Sequence, residues 1–470
     1  MKHKKVKHKN SKKYQYVNQV QISFTNKPIT AWGGICALIG KYLEQIKFQE
    51  WVEKTLPVKE ISPNGKGVYE KVLAMFLTCL TGGYRFSHIQ WWGHGVEALR
   101  KSFGVKWLPR AASSLTRFWG KINTRGLAER TGTGARNLAG QLIKRDGIEE
   151  DNLNLDSSVF TRYGIQDGAR KGYNPKKHGR PSHHPLIAFL GAGYTVNLWN
   201  RSGNVTSNHQ AVNFYKQTIR SLPDNFRIKT TLADCGFYDI KFIEYLEGIK
   251  CRYIIAAPIS AILQKEIFKL TEWETVEQGI EVCDFYFQHL DKKWTKPRRY
   301  AVIRQEIHQR PKAAGKQPFL FKEMEELKNY RYTLMITNDQ ETAPVEIWRE
   351  YRPRANDENV IKDMKEGYGI ASFNMKNFWA TEAVMVINAL VFHNLIHFLN
   401  RKILNSGKVI EQMKTLRMKY FILPAQLGKG GQRSVLRLSV QDKSLRGKIR
   451  YWLNKIAGFP LQLNCIAVEG

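Results

Sequence analysis

Tyr351, Arg354, Glu358 and Lys365 lie in the stretch YRPRANDENVIKDMK, separated by 3, 4 and 7 residues. On a helix, Arg354, Glu358 and Lys365 would share one face, a carboxylate flanked by two cations, while Asp357, Asp363 and Glu366 would point elsewhere as solvated charges. Pro353 suits a first helical turn and predicts that the helix starts about there, with Tyr351 just before it or on a distorted first turn. An ordinary ion pair between Arg354 and Glu358 is worth only about 0.3–0.5 kcal/mol. Taken alone, the stretch is therefore also compatible with a solvated helix face.

Two more acids stand out because the chain is so basic, with 74 Lys plus Arg against 41 Asp plus Glu and a net charge of +33. Asp156 ends LNLD and Asp234 ends TTLAD, each at the C-terminal end of a strand-like run, where the backbone aims a side chain into a site beyond the sheet. Two such carboxylates suit Mg²⁺, which prefers hard oxygen ligands and keeps waters for chemistry. Each also has a plain structural alternative: Asp156 capping a turn and Asp234 capping a helix.

The surrounding pattern predicts the elements that would hold these residues. From Asn152 to about Ser260, strand-like runs (LNLDSSVF, AFLGAGYTVNLWN, FRIKTTLAD, CRYIIAAPI) alternate with helix-like ones (HQAVNFYKQTIRSL, YDIKFIEYLEG), the signature of an α/β domain with a mixed or parallel sheet. Between Ser260 and Asp339 the texture is β-rich (EVCDFYFQHL, RRYAVIRQEI, YRYTLMITN), with turn signals such as RPKAAGKQP. Helical character returns at Glu346 and runs past Leu404. This order reads as an α/β domain interrupted by an insertion. The long gap between Asp234 and Glu358, far more than one β-α step requires, is filled by it.

Upstream, Ile29 to Asn152 has helical spacing. Within it, LPRAASSLTRFWGKI offers a short helix with Leu115, Phe118, Trp119 and Ile122 on one face and Ser114, Arg117 and Lys121 on the other. That is the pattern of a DNA recognition helix, and equally of an amphipathic helix with a basic outer face. The first sixteen residues carry seven lysines and no acid, which predicts a disordered arm able to clamp phosphate. Arg401 to Pro460 carries 14 Lys or Arg against Glu411 and Asp442, a second basic surface with a flexible break at Gly428, Gly430 and Gly431.

Such a charge favours a polyanionic partner, nucleic acid before anionic membrane. The longest apolar run, Val384 to Leu399, is broken by Asn388, His393, Asn394 and His397 and reads as a buried helix. The N-terminus lacks the apolar segment of a signal peptide, so a cytoplasmic, nucleoid-associated protein is expected. The six cysteines form no CxxC pair, which argues against zinc and disulfides. His3 with His8, and His178 with His183 and His184, sit among cations that disfavour metal binding.

The spacing Tyr351-x2-Arg354-x3-Glu358-x6-Lys365 resembles the Y-R-E-K signature of bacterial insertion-sequence transposases of the DDE type. The block LDSSVFTRYGIQDGARKGYNPKKHGRPSHHPLIAFL is similar to the first-Asp region of one such family, and LADCGFYD to its second-Asp region. The likeness spans about residues 152–404. It implies an RNase H-like catalytic core interrupted by the β-rich insertion. The expected organisation is a basic arm (1–16), a helical DNA-binding region (17–150), the core in two parts (151–259 and 341–405) around the insertion (260–340), and a basic C-terminal region (406–470).

The resemblance further implies that Asp156, Asp234 and Glu358 are the catalytic carboxylates and hold two Mg²⁺ ions, with Mn²⁺ as a substitute. Arg354 and Lys365 would grip phosphates, and Tyr351 would bond a phosphate or stack near a distorted base. Arg170, Lys171, Lys176, Lys177 and Arg180 are expected on the DNA path, joined upstream by Arg117 and Lys121. Trp273 and Trp294 are candidates to stack on a displaced base if a hairpin intermediate forms. The expected partners are double-stranded DNA, as terminal inverted repeats and target, and a second copy of the chain that pairs two ends; no membrane is expected. A metal-dependent nuclease or resolvase with the same core is the competing enzyme. A non-catalytic DNA-binding remnant is disfavoured by the presence of all three acids.

Overall fold

In the computed structural model the described residues are 16–60, 67–93, 95–307, 330–404, 410–459 and 463–464. The basic arm up to Gln15, including His3 and His8, the turn RPKAAGKQP and Cys465 lie outside them.

The alternating apolar runs form a nine-stranded mixed sheet: β1 (Glu150–Ser157), β2 (Leu186–Leu190), β3 (Thr195–Trp199), β4 (Arg227–Ala233), β5 (Tyr253–Ala256), β6 (Glu274–Glu277), β7 (Ile280–Phe287), β8 (Arg298–Glu306) and β9 (Tyr330–Thr337). Their order is β6-β7-β8-β9-β5-β4-β1-β2-β3. Strands β1 and β4 are parallel, as are β4 and β5, whereas β1, β2 and β3 form an antiparallel meander. That is the RNase H-like arrangement. The run AFLGAGYTVNLWN is two strands rather than one, folded back at Gly193, whose φ of 93° favours glycine. Helices Ala211–Ser221 and Ile240–Gly248 make the crossovers into β4 and β5.

The β-rich insertion is not a separate layer. Strand β9 pairs with β5, so β6 to β9 continue the central sheet outward. Alternation along the strands then creates two cores. Leu153 and Leu155 of β1 and Ala233 of β4 face the larger core, which continues into the N-terminal helices. Leu232 of β4 turns to the opposite face and packs with Ile254, Ala301 and Met335 beneath Val345 and Ile347 of helix Pro344–Tyr351.

Helix Phe378–Leu404 runs through the larger core. It is long and apolar enough to cross a membrane, and 94% of its apolar window is buried within the protein. Two of its polar interruptions serve the β2–β3 turn: the Asn394 side chain accepts from Thr195 N at 3.0 Å and donates to Thr195 O at 2.7 Å, and His397 Nε2–H donates to Ala192 O at 2.8 Å. These bonds satisfy edge-strand and turn groups that burial would otherwise leave unpaired.

On the other side of that helix, Phe392 stacks on Phe76 of helix Val68–Leu80 with ring centroids 4.3 Å apart. Truncating Phe392 to Ala should lower stability by about 3–5 kcal/mol, read as a lower denaturant midpoint. A loss below about 1 kcal/mol would show that this stack does not tie the N-terminal helices to the core beneath the sheet.

Candidate active site

The register Asn154↔Leu232 and Leu155↔Ala233 sets Asp156 of β1 beside Asp234, the first residue past β4. Side-chain alternation puts Asn154 and Asp156 on the same face, away from the larger core. Asp156 Oδ1 accepts from Ser157 N at 2.7 Å, and Asp234 Oδ1 accepts from Gly236 N at 3.0 Å. Asp234 thereby caps the short turn Cys235–Phe237, so the capping role is real and compatible with a site role.

Both carboxyls are desolvated. Burial pushes Asp156 up to about 6, with Arg354 opposing and the charges of Asp234 and Glu358 adding to the rise. Burial also raises Asp234, again against Arg354. A single guanidinium therefore compensates two neighbouring acids.

The segment that supplies Arg354 has a different shape from the one expected. Tyr351 is the last residue of helix Pro344–Tyr351, Arg352–Arg354 form a tight turn, and a second helix spans Ala355–Gly367. Pro353 has no N–H to continue the first helix, so it falls in the elbow between two helices rather than in a first turn. The elbow points Arg354 inward: Nη2 donates to Leu155 O at 3.1 Å and lies 3.6 Å from Asp156 Oδ1. Nη1 donates to Tyr351 Oη at 3.5 Å, and the Tyr351 hydroxyl donates to Ala233 O at 3.2 Å. Tyr351 and Arg354 thus grip the last carbonyls before the two aspartates.

The helix Ala355–Gly367 buries Asp357, Ile361 and Met364, and the stripe ends on Tyr368 just beyond it. Asp357 is therefore not a solvated charge. Its Oδ1 accepts from Asn154 Nδ2 at 2.8 Å, and burial pushes it up to about 7. Asp363 accepts from Met413 N at 3.0 Å and is pushed up by burial to about 6, which also removes it from the solvated set. Glu366 is exposed, as its spacing implied. Glu358 is exposed at the rim, where its charge acts on Asp156.

Lys365 reaches the same strand end, with Nζ donating to Ser158 Oγ at 2.7 Å. Burial lowers its pKa, as does the neighbouring charge of Lys176, so the basic loop after β1 comes back to the site. In that loop Arg170, Lys171, Lys176, Lys177 and Arg180 are all exposed.

Arg117 is exposed on helix Ala112–Trp119, while Lys121 lies beyond the helix end and pairs with Glu60 at 3.0 Å. Neither indole of the insertion offers the stacking face the sequence suggested. Trp294 is buried against His289 and Tyr238, and Trp273 is half-buried with the Arg304 guanidinium 4.1 Å from its ring.

Sequence reasoning missed a polar chain behind the carboxylates. His184 Nδ1–H donates to Val205 O at 2.9 Å, which leaves Nε2 to accept from Ser157 Oγ at 3.0 Å; Ser157 Oγ in turn lies 2.8 Å from Ser207 Oγ. The signal for Ser157 was its place next to Asp156, and nothing in the sequence linked it to His184. Asn154 was legible as the residue two before Asp156 on an alternating strand.

A family model described as Transposase DDE domain group 1 matches residues 107–456. The chain belongs to this transposase family. Its reaction class is accordingly DNA strand cleavage and transfer, and the family generally uses divalent metal ions. The cryo-EM structure of a piggyBac transposase synaptic complex with hairpin DNA is similar over 95% of this chain and 87% of that chain, with 11% sequence identity and a TM-score of 0.42. No curated protein matches the chain.

The donors at the two strand ends fit a hard divalent cation: both are carboxylates, both are desolvated, and the charge of Asp234 adds to the rise of Asp156. Among the described residues no cluster of three or more His, Cys, Asp or Glu side chains is gathered closely enough to hold an ion. Asp156 and Asp234 form the ready pair, and Glu358 stands apart at the rim.

The buried Asp357 yields a pH prediction. Its folded pKa, about 7, lies above the ordinary carboxylate value, so the folded state holds an extra proton between about pH 4 and pH 7. Its contribution to stability is full below that window and is lost as pH rises through it. Asp357→Asn keeps an acceptor for Asn154 and cannot ionise, so its melting temperature relative to the parent should rise across the window. An offset that stays constant with pH would overturn this assignment.

Proposed function

We propose that the chain cleaves DNA at transposon ends and joins the freed ends to target DNA, with Asp156, Asp234 and Glu358 holding two Mg²⁺ ions, for which Mn²⁺ can substitute. The observation that carries this reading is the convergence of Asp156 and Asp234 under Arg354, on the segment that also bears Glu358. Bound metal would supply Lewis-acid stabilisation and an activated oxygen nucleophile at neutral pH.

The chain's own residues set the geometry. Tyr351 and Arg354 fix the carbonyls of Ala233 and Leu155, and so fix where the next two side chains project. Arg354 also holds counter-charge against the pair until a cation and a phosphate share the site. Lys365, desolvated and anchored on Ser158, places an ammonium beside Asp156 as a point-charge grip on the scissile phosphate. The exposed cations after β1 and the basic C-terminal region carry the DNA backbone. In the first step water attacks the phosphodiester and the bond to the 3′ oxygen breaks, leaving a 3′-hydroxyl and a 5′-phosphate; in the second that hydroxyl attacks a target phosphodiester, whose own bond to its 3′ oxygen breaks and leaves a free 3′-hydroxyl on the target strand. Pairing two ends calls for a homodimer.

Glu358→Gln should keep affinity for end DNA and lower Mg²⁺-dependent nicking by at least ~100-fold, the scale of losing one charge-stabilising group. Undiminished nicking by that variant would sink the assignment of Glu358. In the parent protein, DNA affinity should fall steeply with added salt, and a flat salt titration would contradict phosphate-dominated binding.

A further inference from the structure

The connection from β1 to β2 exposes three large apolar side chains in a basic loop: Tyr163 at 73%, Ile165 at 91% and Tyr173 at 74%. Scattered exposed apolar groups need no explanation, but three this exposed between Tyr163 and Tyr173, interleaved with cations, are a concentration that does. This loop is also rigidly built. Arg162 is buried, with Nε donating to His183 Nδ1 at 3.0 Å and Nη1 to Ala371 O at 2.5 Å. Asn174 is buried as well, and its amide donates to Thr161 Oγ1 at 3.1 Å and Arg180 O at 3.4 Å while its carbonyl accepts from Lys177 N at 3.2 Å. The backbones of Arg170 and Ser182 exchange two hydrogen bonds. Gly172 lies so close to Gly203 that a Cβ would sit 2.0 Å from its carbonyl oxygen. The rings on either side are thus presented outward by a braced frame, and the ordering entropy of the loop that carries them is already spent in folding.

The placement identifies the ligand chemistry. Tyr163 follows Asp156 by a few residues along the same chain, Arg180 lies over its ring at 5.9 Å from the centroid, and Lys176 sits within electrostatic reach of Lys365. Aromatic faces interleaved with exposed cations match a nucleic-acid strand, whose bases stack on rings while its phosphates meet Lys and Arg. In an intact duplex the base faces are covered by their neighbours. Only unpaired or extruded bases can use this surface.

We propose that Tyr163, Ile165 and Tyr173 form a stacking surface for unpaired DNA bases beside the Asp156–Asp234 site, so that the protein favours DNA opened near the cleavage point. The inference rests on the DNA-cleaving reading of that site and specifies the form of substrate it takes. It also relocates the stacking role from the insertion tryptophans to the loop after β1.

The test uses the full chain, a fluorescent mixed-sequence duplex, and the same duplex with a short central bubble, compared by anisotropy at one salt concentration. The parent should bind the bubbled DNA more tightly. The double change Tyr163→Ala and Tyr173→Ala should weaken bubble binding about tenfold or more, with little effect on the paired duplex and an unchanged melting temperature. Trp at both positions should retain the preference. Equal affinity of the parent for both DNAs, or equal weakening of both by the double Ala change, overturns the proposal. Nicking by the parent and by Glu358→Gln is assayed separately: its failure counts against the cleavage reading, whereas the bubble-to-duplex ratio reports on the stacking surface alone.

Discussion

Two like-charged carboxyls set side by side and largely desolvated are the constraint around which this site is organised. Parallel pairing of β1 with β4 forces Asp156 and Asp234 together at the strand ends, and desolvation raises both. Such an arrangement is costly unless opposite charge and hydrogen bonds are supplied. The hydrogen bonds come from the backbone of Ser157 and Gly236 at the strand ends, and the charge comes from the elbow between helices Pro344–Tyr351 and Ala355–Gly367. Arg354 provides the charge, and the Tyr351 hydroxyl and Arg354 amino groups bind the adjacent carbonyls.

Holding that elbow in register is the structural work of the insertion. Strands β6 to β9 widen the sheet and build the smaller core on which Val345 and Ile347 seat the first helix. A polar network adds direction: Glu350 of that helix accepts from Thr230 Oγ1 of β4 and from Arg252, which also pairs with Asp339. Beyond the elbow, Ile361 and Met364 bury the second helix, and the Asn154–Asp357 bond ties its start to β1. An element far away in sequence thus controls where Arg354 sits. In the same way, Asn394 and His397 of the central helix brace the β2–β3 turn on the other side of the sheet.

The parts legible in the sequence were those governed by local pattern. Period-two runs ending in Asp156 and Asp234 and the alternation of strands with helices translate directly into β1, β4 and their crossovers, because each signal is contained within a few residues. The fate of Asp357 was hidden by attention to the charge pattern, although Ile361, Met364 and Tyr368 at i+4, i+7 and i+11 already placed it on the buried stripe. Pro353 marks the start of helix Ala355–Gly367 to within two residues, but the helix that ends at Tyr351 just before it, which makes Pro353 the hinge of an elbow, depends on tertiary packing. The bond from His184 to Ser157 and the inward turn of Arg354 depend on neighbours distant along the chain, which no local pattern encodes.

The large positive charge of the chain raises a last question: why it does not neutralise the acidic pair. Exposed cations in water act over about a Debye length, roughly 8–10 Å at physiological salt, so most of the net +33 shapes the approach of DNA and not the charge state of the site. Only cations that share the desolvated interior couple strongly to the pair. These are Arg354, fixed by the Leu155 carbonyl and the Tyr351 hydroxyl, and Lys365, whose burial makes it hold its proton less tightly. The protein therefore separates two electrostatic tasks by burial. A solvated basic surface gathers the polyanion in a salt-sensitive way, while an inner pair of carboxyls, compensated by Arg354 with Lys365 beside Asp156, keeps its demand for further positive charge.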